Sequence, residues 1–373
     1  MRKQKYTVMI LSFTICFGLV SCGRRETPPA DLEKKDESAE RTQNSDKDVF
    51  DASMTTFVKE QDNITIDAQI SIPERAKKGY APNAEGEPLA LREKIPQLTN
   101  QFFDEEKSVQ SNFHEEDDYF FSLTDPETQS SLAYNNAAGF VFTSKEYEYC
   151  KNCIVTETFA DVYNADQYQK LENLGFMNRQ EAAETVRSVM EAFEIHLGDP
   201  VNVYVMDHET MEQQEDPTDV SGEYDPNIKK ESWTEEDDTY YFYFQQEYDG
   251  IPMIYNPYSG QGYEVGEEAT VMINASGITG ALIMGCYTWE EKEEVPLISL
   301  EKAVDTFFRN YEGIVGVSYY VDQISLMLDI LPGDDYTARL RPVWVFNAQM
   351  TGEGYSYDSR IIIDAETGEE LTV

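Results

Sequence analysis

Apolar and polar residues alternate clearly only after about residue 49, and the pattern sharpens toward the C-terminus. Ile64-Thr65-Ile66-Asp67-Ala68-Gln69-Ile70-Ser71-Ile72 alternates in the manner of a half-buried strand. Leu91 to Phe103 has helical spacing that Pro96 must kink or restart. Tyr119–Leu123, Ala138–Phe142 and Cys153–Phe159 read as further short strands. Asn178 is placed to cap a helix, with Glu181 three residues on and Val186, Val189, Met190 and Phe193 on one face. Tyr240 to Tyr248 is strongly β-prone, and Asp249-Gly250 carries the residues of a tight hairpin turn. Ala269–Asn274 and Ile278–Trp289 read as two strands around Ala275-Ser276-Gly277. Ser299 then caps a helix with the stripe Leu300, Ala303, Val304, Phe307, Phe308 and Tyr311. Ile324, Leu326, Leu328 and Ile330 share one strand face, Val343–Phe346 opens another strand, and Ser359–Asp364 leads into a last turn.

One layout occurs twice in this pattern. Val271-Met272-Ile273-Asn274-Ala275-Ser276-Gly277 and Ile361-Ile362-Ile363-Asp364-Ala365-Glu366-Thr367-Gly368 each follow an aromatic strand and, further upstream, a capped amphipathic helix. This is the signature of a degenerate tandem repeat. The expected fold class is α+β, with antiparallel sheets each backed by an amphipathic helix, preceded by a separate N-terminal α+β region. The expected organisation is 1–21 leader, 22–48 tether, 49–174 N-terminal region, 175–297 first unit and 298–373 second unit. Because each helix has one stripe and its strands supply matching faces, the C-terminal half reads as self-contained.

The N-terminus changes the picture of where the chain works. Arg2, Lys3 and Lys5 precede the uncharged run Val8 to Val20, about 13 residues against the roughly 20 that a spanning helix needs. That is the length of a signal-peptide core. Leu19-Val20-Ser21-Cys22 follows at once and resembles the lipobox of bacterial lipoproteins, which implies a diacylglyceryl thioether on Cys22 and cleavage before it. Gly23 to about Asp48 has almost no large apolar residue and reads as a disordered tether. The expected location is the outer face of the cytoplasmic membrane, lipid-anchored. The 71 acidic against 29 basic residues give a net charge of −42, a field that repels nucleic acid.

The two repeated segments resemble the PepSY-like repeats of bacterial secreted and membrane-anchored proteins, with Glu247-Tyr248-Asp249-Gly250-Ile251-Pro252 as the strand-turn-strand. The last seventy or so residues are similar to extracytoplasmic YycH/YycI-type regulators, on Pro342-Val343-Trp344 and Asp364-Ala365-Glu366-Thr367-Gly368. The whole chain looks like an uncharacterised group of lipoproteins of low-GC Gram-positive gut bacteria. These resemblances imply non-catalytic roles: regulating a sensor kinase, restraining a peptidase, or binding a peptide. They transfer no catalytic residue.

Candidate chemistry is sparse. Cys150-Lys151-Asn152-Cys153 lies between β-prone stretches, so Lys151-Asn152 reads as a hairpin turn and the two cysteines as a small-loop disulfide in an oxidising exterior. Free thiols are the other reading; redox and zinc sites fit less well, because the first needs a helix N-terminus and the second two more ligands. Cys286 reads as a buried free thiol, and Cys16 leaves with the leader. His114, His196 and His208 are the only histidines, and no metalloprotease or nucleophile-elbow motif occurs. No cofactor, metal ligand set or catalytic residue is expected. Glu209 to Asp238 reads as a long acidic surface insertion, and its stretch Glu215 to Asn227 leaves calcium open without matching an EF-hand. In Tyr240-Tyr241-Phe242-Tyr243-Phe244 one face must be core, and the other is either a ligand platform or cross-strand packing. The leading expectation is a non-enzymatic surface binding or regulatory protein that modulates a sensor kinase or peptidase. A solute- or glycan-binding lipoprotein is the alternative and would show an aromatic-lined deep pocket. A hydrolase is the remaining class.

Overall fold

A computed structural model describes residues 50–103, 108–113, 120–134, 139–154, 164–218, 224–226, 228–255, 269–333 and 336–371. Cys22, the tether, His114, most of the strand expected at Cys153–Phe159 and part of the acidic stretch 215–227 lie outside these residues.

The early alternation folds into β1 (Thr56–Gln61) and β2 (Ile64–Ser71), a hairpin turning at Asp62, with Ile64, Ile66 and Ala68 buried. Next comes β3 (Tyr80–Pro88). Pro96 restarts the backbone as expected: a 3₁₀ turn at Leu91–Lys94 runs into α1 (Ile95–Phe102), with proline in its first turn. Four short strands follow, β4 (Gln110–Phe113), β5 (Phe121–Asp125), β6 (Ser130–Tyr134) and β7 (Phe140–Thr143). They lead into α2 (Lys145–Lys151).

The capped helices form where their sequences place them. In α3 (Arg179–Glu191) the Asn178 carboxamide accepts the Glu181 N–H at 2.9 Å, which satisfies one of the helix's orphan donors. In α5 (Leu300–Tyr311) the Ser299 hydroxyl accepts the Lys302 N–H. Between them lie β8 (Leu197–Met206), α4 (His208–Gln214), β9 (Thr239–Tyr248), β10 (Ile251–Tyr255), β11 (Ala269–Asn274), β12 (Gly277–Ile283) and β13 (Tyr287–Pro296). Asp249 and Gly250 both have positive φ (50° and 72°), the geometry of the expected hairpin turn. The single strand expected at Ile278–Trp289 is broken in two at Gly285, which turns the chain at φ +72°. After α5 come β14 (Val317–Pro332), β15 (Ala338–Gly352) and β16 (Tyr355–Asp364).

The protein is mixed and strand-rich, consistent with α+β. Its strands join one branched sheet, ordered β13-β3-β15-β14-β10-β9-β11-β12-β7-β6-β5-β4 along its main path. Two long strands organise it. One edge of β14 takes β15 along its whole length; the other is shared by β2 and β10, both parallel to it. Likewise, β15 divides its second edge between β16 and β3.

The meander after each capped helix is laid out alike: α3 is followed by β8, β9 and β11 paired in that order, and α5 by β14, β15 and β16. The turns that follow also match. The Asn274 side chain accepts the Ser276 N–H, and the Asp364 side chain accepts those of Glu366 and Thr367.

The separate N-terminal region of the sequence reading is corrected by the pairing. From 49–174, β2 pairs β14, β3 pairs β13 and β15, and β7 pairs β12. The boundaries at 174/175 and 297/298 thus cut one hydrogen-bonded system, and Ser45–Val373 form one compact unit. Its main core runs from Ile64 to Ala365 and holds the stripes of both α3 and α5. Among the described residues no helix is long and apolar enough to cross a membrane.

Candidate binding cleft

A cleft of about 820 Å³ lies on the outer face of the sheet where β13, β3, β15 and β14 lie side by side. Strand alternation builds it. Ala84, Gly86 and Pro88 of β3 point inward and are buried, so Glu85 and Glu87 point outward. On β13, Trp289 takes the inner side, and Thr288, Glu290 and Lys292 the outer. Gly86 is required by the approach of Trp289, since a Cβ there would lie 2.4 Å from Trp289 Cζ3. The ring therefore closes the cleft's floor from beneath.

Register then sets the charges in rows. Glu290 is opposite Glu85, Glu85 opposite Arg339, and Arg339 opposite Leu331, across four adjacent strands. Thr288 and Glu87 form the neighbouring row. Lys292 joins two of the carboxylates, at 2.6 Å from Glu290 and 3.4 Å from Glu85. The Glu290 contact holds its ammonium above the usual range. Two positions along β15, Arg341 is engaged by buried Asp329 at 3.2 Å. Arg339 and Glu87 differ: neither has an ion-pair partner among the described residues. Among the described residues the lining includes no histidine, cysteine or aromatic ring.

The cysteine pair lies elsewhere, and its local structure is a correction. Residues read as strand and hairpin turn are α2, started by the Ser144 hydroxyl, which accepts the Tyr147 N–H at 3.2 Å. Tyr147 seats on β12 at Gly280, where a Cβ would lie 1.8 Å from its ring, so tertiary docking overrides the β-propensity of the tyrosines. Cys150 and Cys153 are free thiols, not a disulfide. They are buried with Tyr168, Tyr204, Met206, Met211, Trp233, Tyr241, Tyr243 and Met272. Burial pushes the Cys150 thiol up to about 12 and Cys153 in the same direction. The position is opposite to a redox site, being at the end of a helix and not at its start. Both thiols are expected to resist iodoacetamide in the native protein and to react once it is unfolded. A native mass showing a 150–153 disulfide would contradict this.

This cluster also settles the aromatic strand. Tyr240, Phe242 and Phe244 enter the main core, while Tyr241 and Tyr243 enter the second cluster, so neither face is an open platform. Part of its cover is the segment expected as a surface insertion. Glu215 accepts the Lys230 N–H at 2.7 Å and the Trp233 indole N–H at 3.3 Å, while Asn152 donates to the Ile228 carbonyl. Lys230 pairs with Asp237 at 3.0 Å and lies over the rings of Tyr149 and Trp233. His208 meets Asp238 at 2.8 Å, a contact that raises the imidazole's affinity for its proton. His196 is at the surface beside Glu191.

No family model and no curated protein matches this chain. Among solved structures, the chain is similar to an uncharacterized protein from Eubacterium rectale ATCC 33656, with a TM-score of 0.64 and 18% identity over 86% of this chain and 94% of that one. At that identity the likeness concerns the fold alone. A second match, the Bacillus megaterium YpeB C-terminal domain, has a TM-score of 0.27 and 13% identity over 76% of this chain and 94% of that one, which is no likeness of fold.

The sequence reading missed the cleft because its residues come from 85–90, 288–292 and 331–339. The only local signal was the alternation of Glu85 and Glu87 around Gly86.

Proposed function

We propose that this chain is a lipid-anchored extracytoplasmic binding protein, held to the outer face of the cytoplasmic membrane through Cys22 and acting by occupancy of the outer-face cleft, not by catalysis. The observation that carries the reading is the cleft itself. It is of ligand size, and its charged groups are carried by three adjacent strands, β13, β3 and β15. Neither the cysteines, buried as thiols, nor His208, held by Asp238, lines it. The charged lining, Glu85, Glu87, Glu290, Lys292 and Arg339, favours a peptide or other charged solute over a neutral glycan.

The two helix-and-meander layouts support a reading as degenerate PepSY-like units, and the resemblance to YycH/YycI-type regulators suggests a membrane sensor kinase or peptidase as the downstream partner. The anchor is tested directly. Cys22→Ala is expected to abolish labelling by a fatty-acid probe and to release or mis-process the protein. Unchanged labelling and fractionation would remove the anchor from the proposal.

A further inference from the structure

We infer that the cleft recognises a short peptide with both termini free, its ammonium at Glu87 and its carboxylate at Arg339; this rests on the cleft being the binding site. Of the three carboxylates that line the cleft among the described residues, Glu85 and Glu290 already share Lys292. Glu87 is the one lining carboxylate without an ion pair among the described residues, and Arg339 is the one such cation. A ligand of single sign would satisfy one of them and leave the other. A zwitterion satisfies both.

Geometry limits its length. Arg339 is opposite Glu85, so Glu87 is its diagonal neighbour on the adjacent strand, about 7–8 Å away between backbones. An extended peptide advances about 3.3–3.6 Å per residue, so two or three residues place their termini within reach of both side chains. Arg339 suits the carboxylate, which a guanidinium can grip with two parallel hydrogen bonds. Flanking the charges, Thr288 lies opposite Glu87 on β13 with a hydroxyl that can bond a peptide backbone, and Leu331 lies opposite Arg339 on β14 and gives small apolar contact. The net charge of −42 draws in the ammonium end and discourages ligands of net negative charge.

Calorimetry on the full mature chain with Ala-Ala-Ala tests this, against the same peptide N-acetylated and against the peptide C-amidated. Blocking either end is expected to weaken binding by about tenfold or more. Arg339→Gln should cost a similar factor and make affinity indifferent to amidation, while Glu87→Gln should make it indifferent to acetylation. Blocked and free peptides binding alike, additive losses from Arg339→Gln and amidation, or no heat with millimolar Ala-Ala-Ala would each overturn the inference. Thr288→Trp, which fills the cleft from an outward position on β13, separates the two failures. If the peptide still binds that variant undiminished, the site is elsewhere and the cleft reading falls with the inference. If a neutral chitotriose binds and Thr288→Trp abolishes it, the cleft stands and only the peptide inference is lost.

Discussion

A fragment beginning at Gly175 is expected to melt without cooperativity, although its own helices and strands look complete in the sequence. It would retain both capped helices and both meanders, yet four of its strands would lose a partner. Removing β2 bares the parallel edge of β14 from Tyr319 to Ser325 and withdraws Ile64 and Ile66, both fully buried in the main core. Loss of β7 bares β12 from Gly280 to Ile283. Without β3, β13 has no partner along its whole length and β15 loses its contact at Ala338–Leu340. Unpaired buried backbone groups are costly, and open edges invite association. Thermal melting and hydrogen exchange of the fragment should show a broad transition and weak protection. A sharp melt with native-like protection in β12 and β14 would mean that the early strands only decorate the sheet.

Phe307→Ala is expected to be the most damaging single truncation in α5. The side chain is fully buried and packs on Phe346 and Tyr311, each with ring centres 5.2 Å away, and edge-on against Tyr319. Phe346 and Tyr319 belong to β15 and β14, so this one ring ties the helix to both long strands. Removing a buried Phe usually costs about 3–5 kcal/mol, because the cavity only partly collapses. With a slope near 3 kcal/mol/M, the urea midpoint should fall by about 1–2 M. Val315→Ala is the control, since Val315 is 95% exposed and its loss should stay within about 0.5 kcal/mol. Equal effects from the two substitutions would show that α5 does not seat as described.

How much of this was legible in the sequence depended on whether the signal was local. The starts of α3 and α5 were, because a capping side chain and a stripe lie within one short window. So was the β9–β10 turn, because Asp249 and Gly250 are residues that accept positive φ. Pro82 and Pro88 concealed β3, since proline removes a ladder donor. The structure accommodates them because β15 pairs only with Ala84 to Gly86, leaving both prolines paired on one side alone, to β13. In α2 the tyrosines argued for strand, and the deciding contact, Tyr147 on Gly280, is more than a hundred residues distant. The hairpin turn read at Lys151-Asn152 fell with it. Domain boundaries failed for a related reason: periodicity shows which face of a strand is buried, but not which strand lies beside it.

The central structural claim is that the early strands and both helix-and-meander layouts form one cooperative body, on whose joined strands the cleft is built. Hydrogen exchange of the full chain, followed peptide by peptide through a urea titration, tests it most directly. Peptides covering β2, β7, β12 and β15 should lose protection together in a single transition. Opening of the peptides from 50–174 at clearly lower urea than those of α5 and β14–β16 would contradict the account.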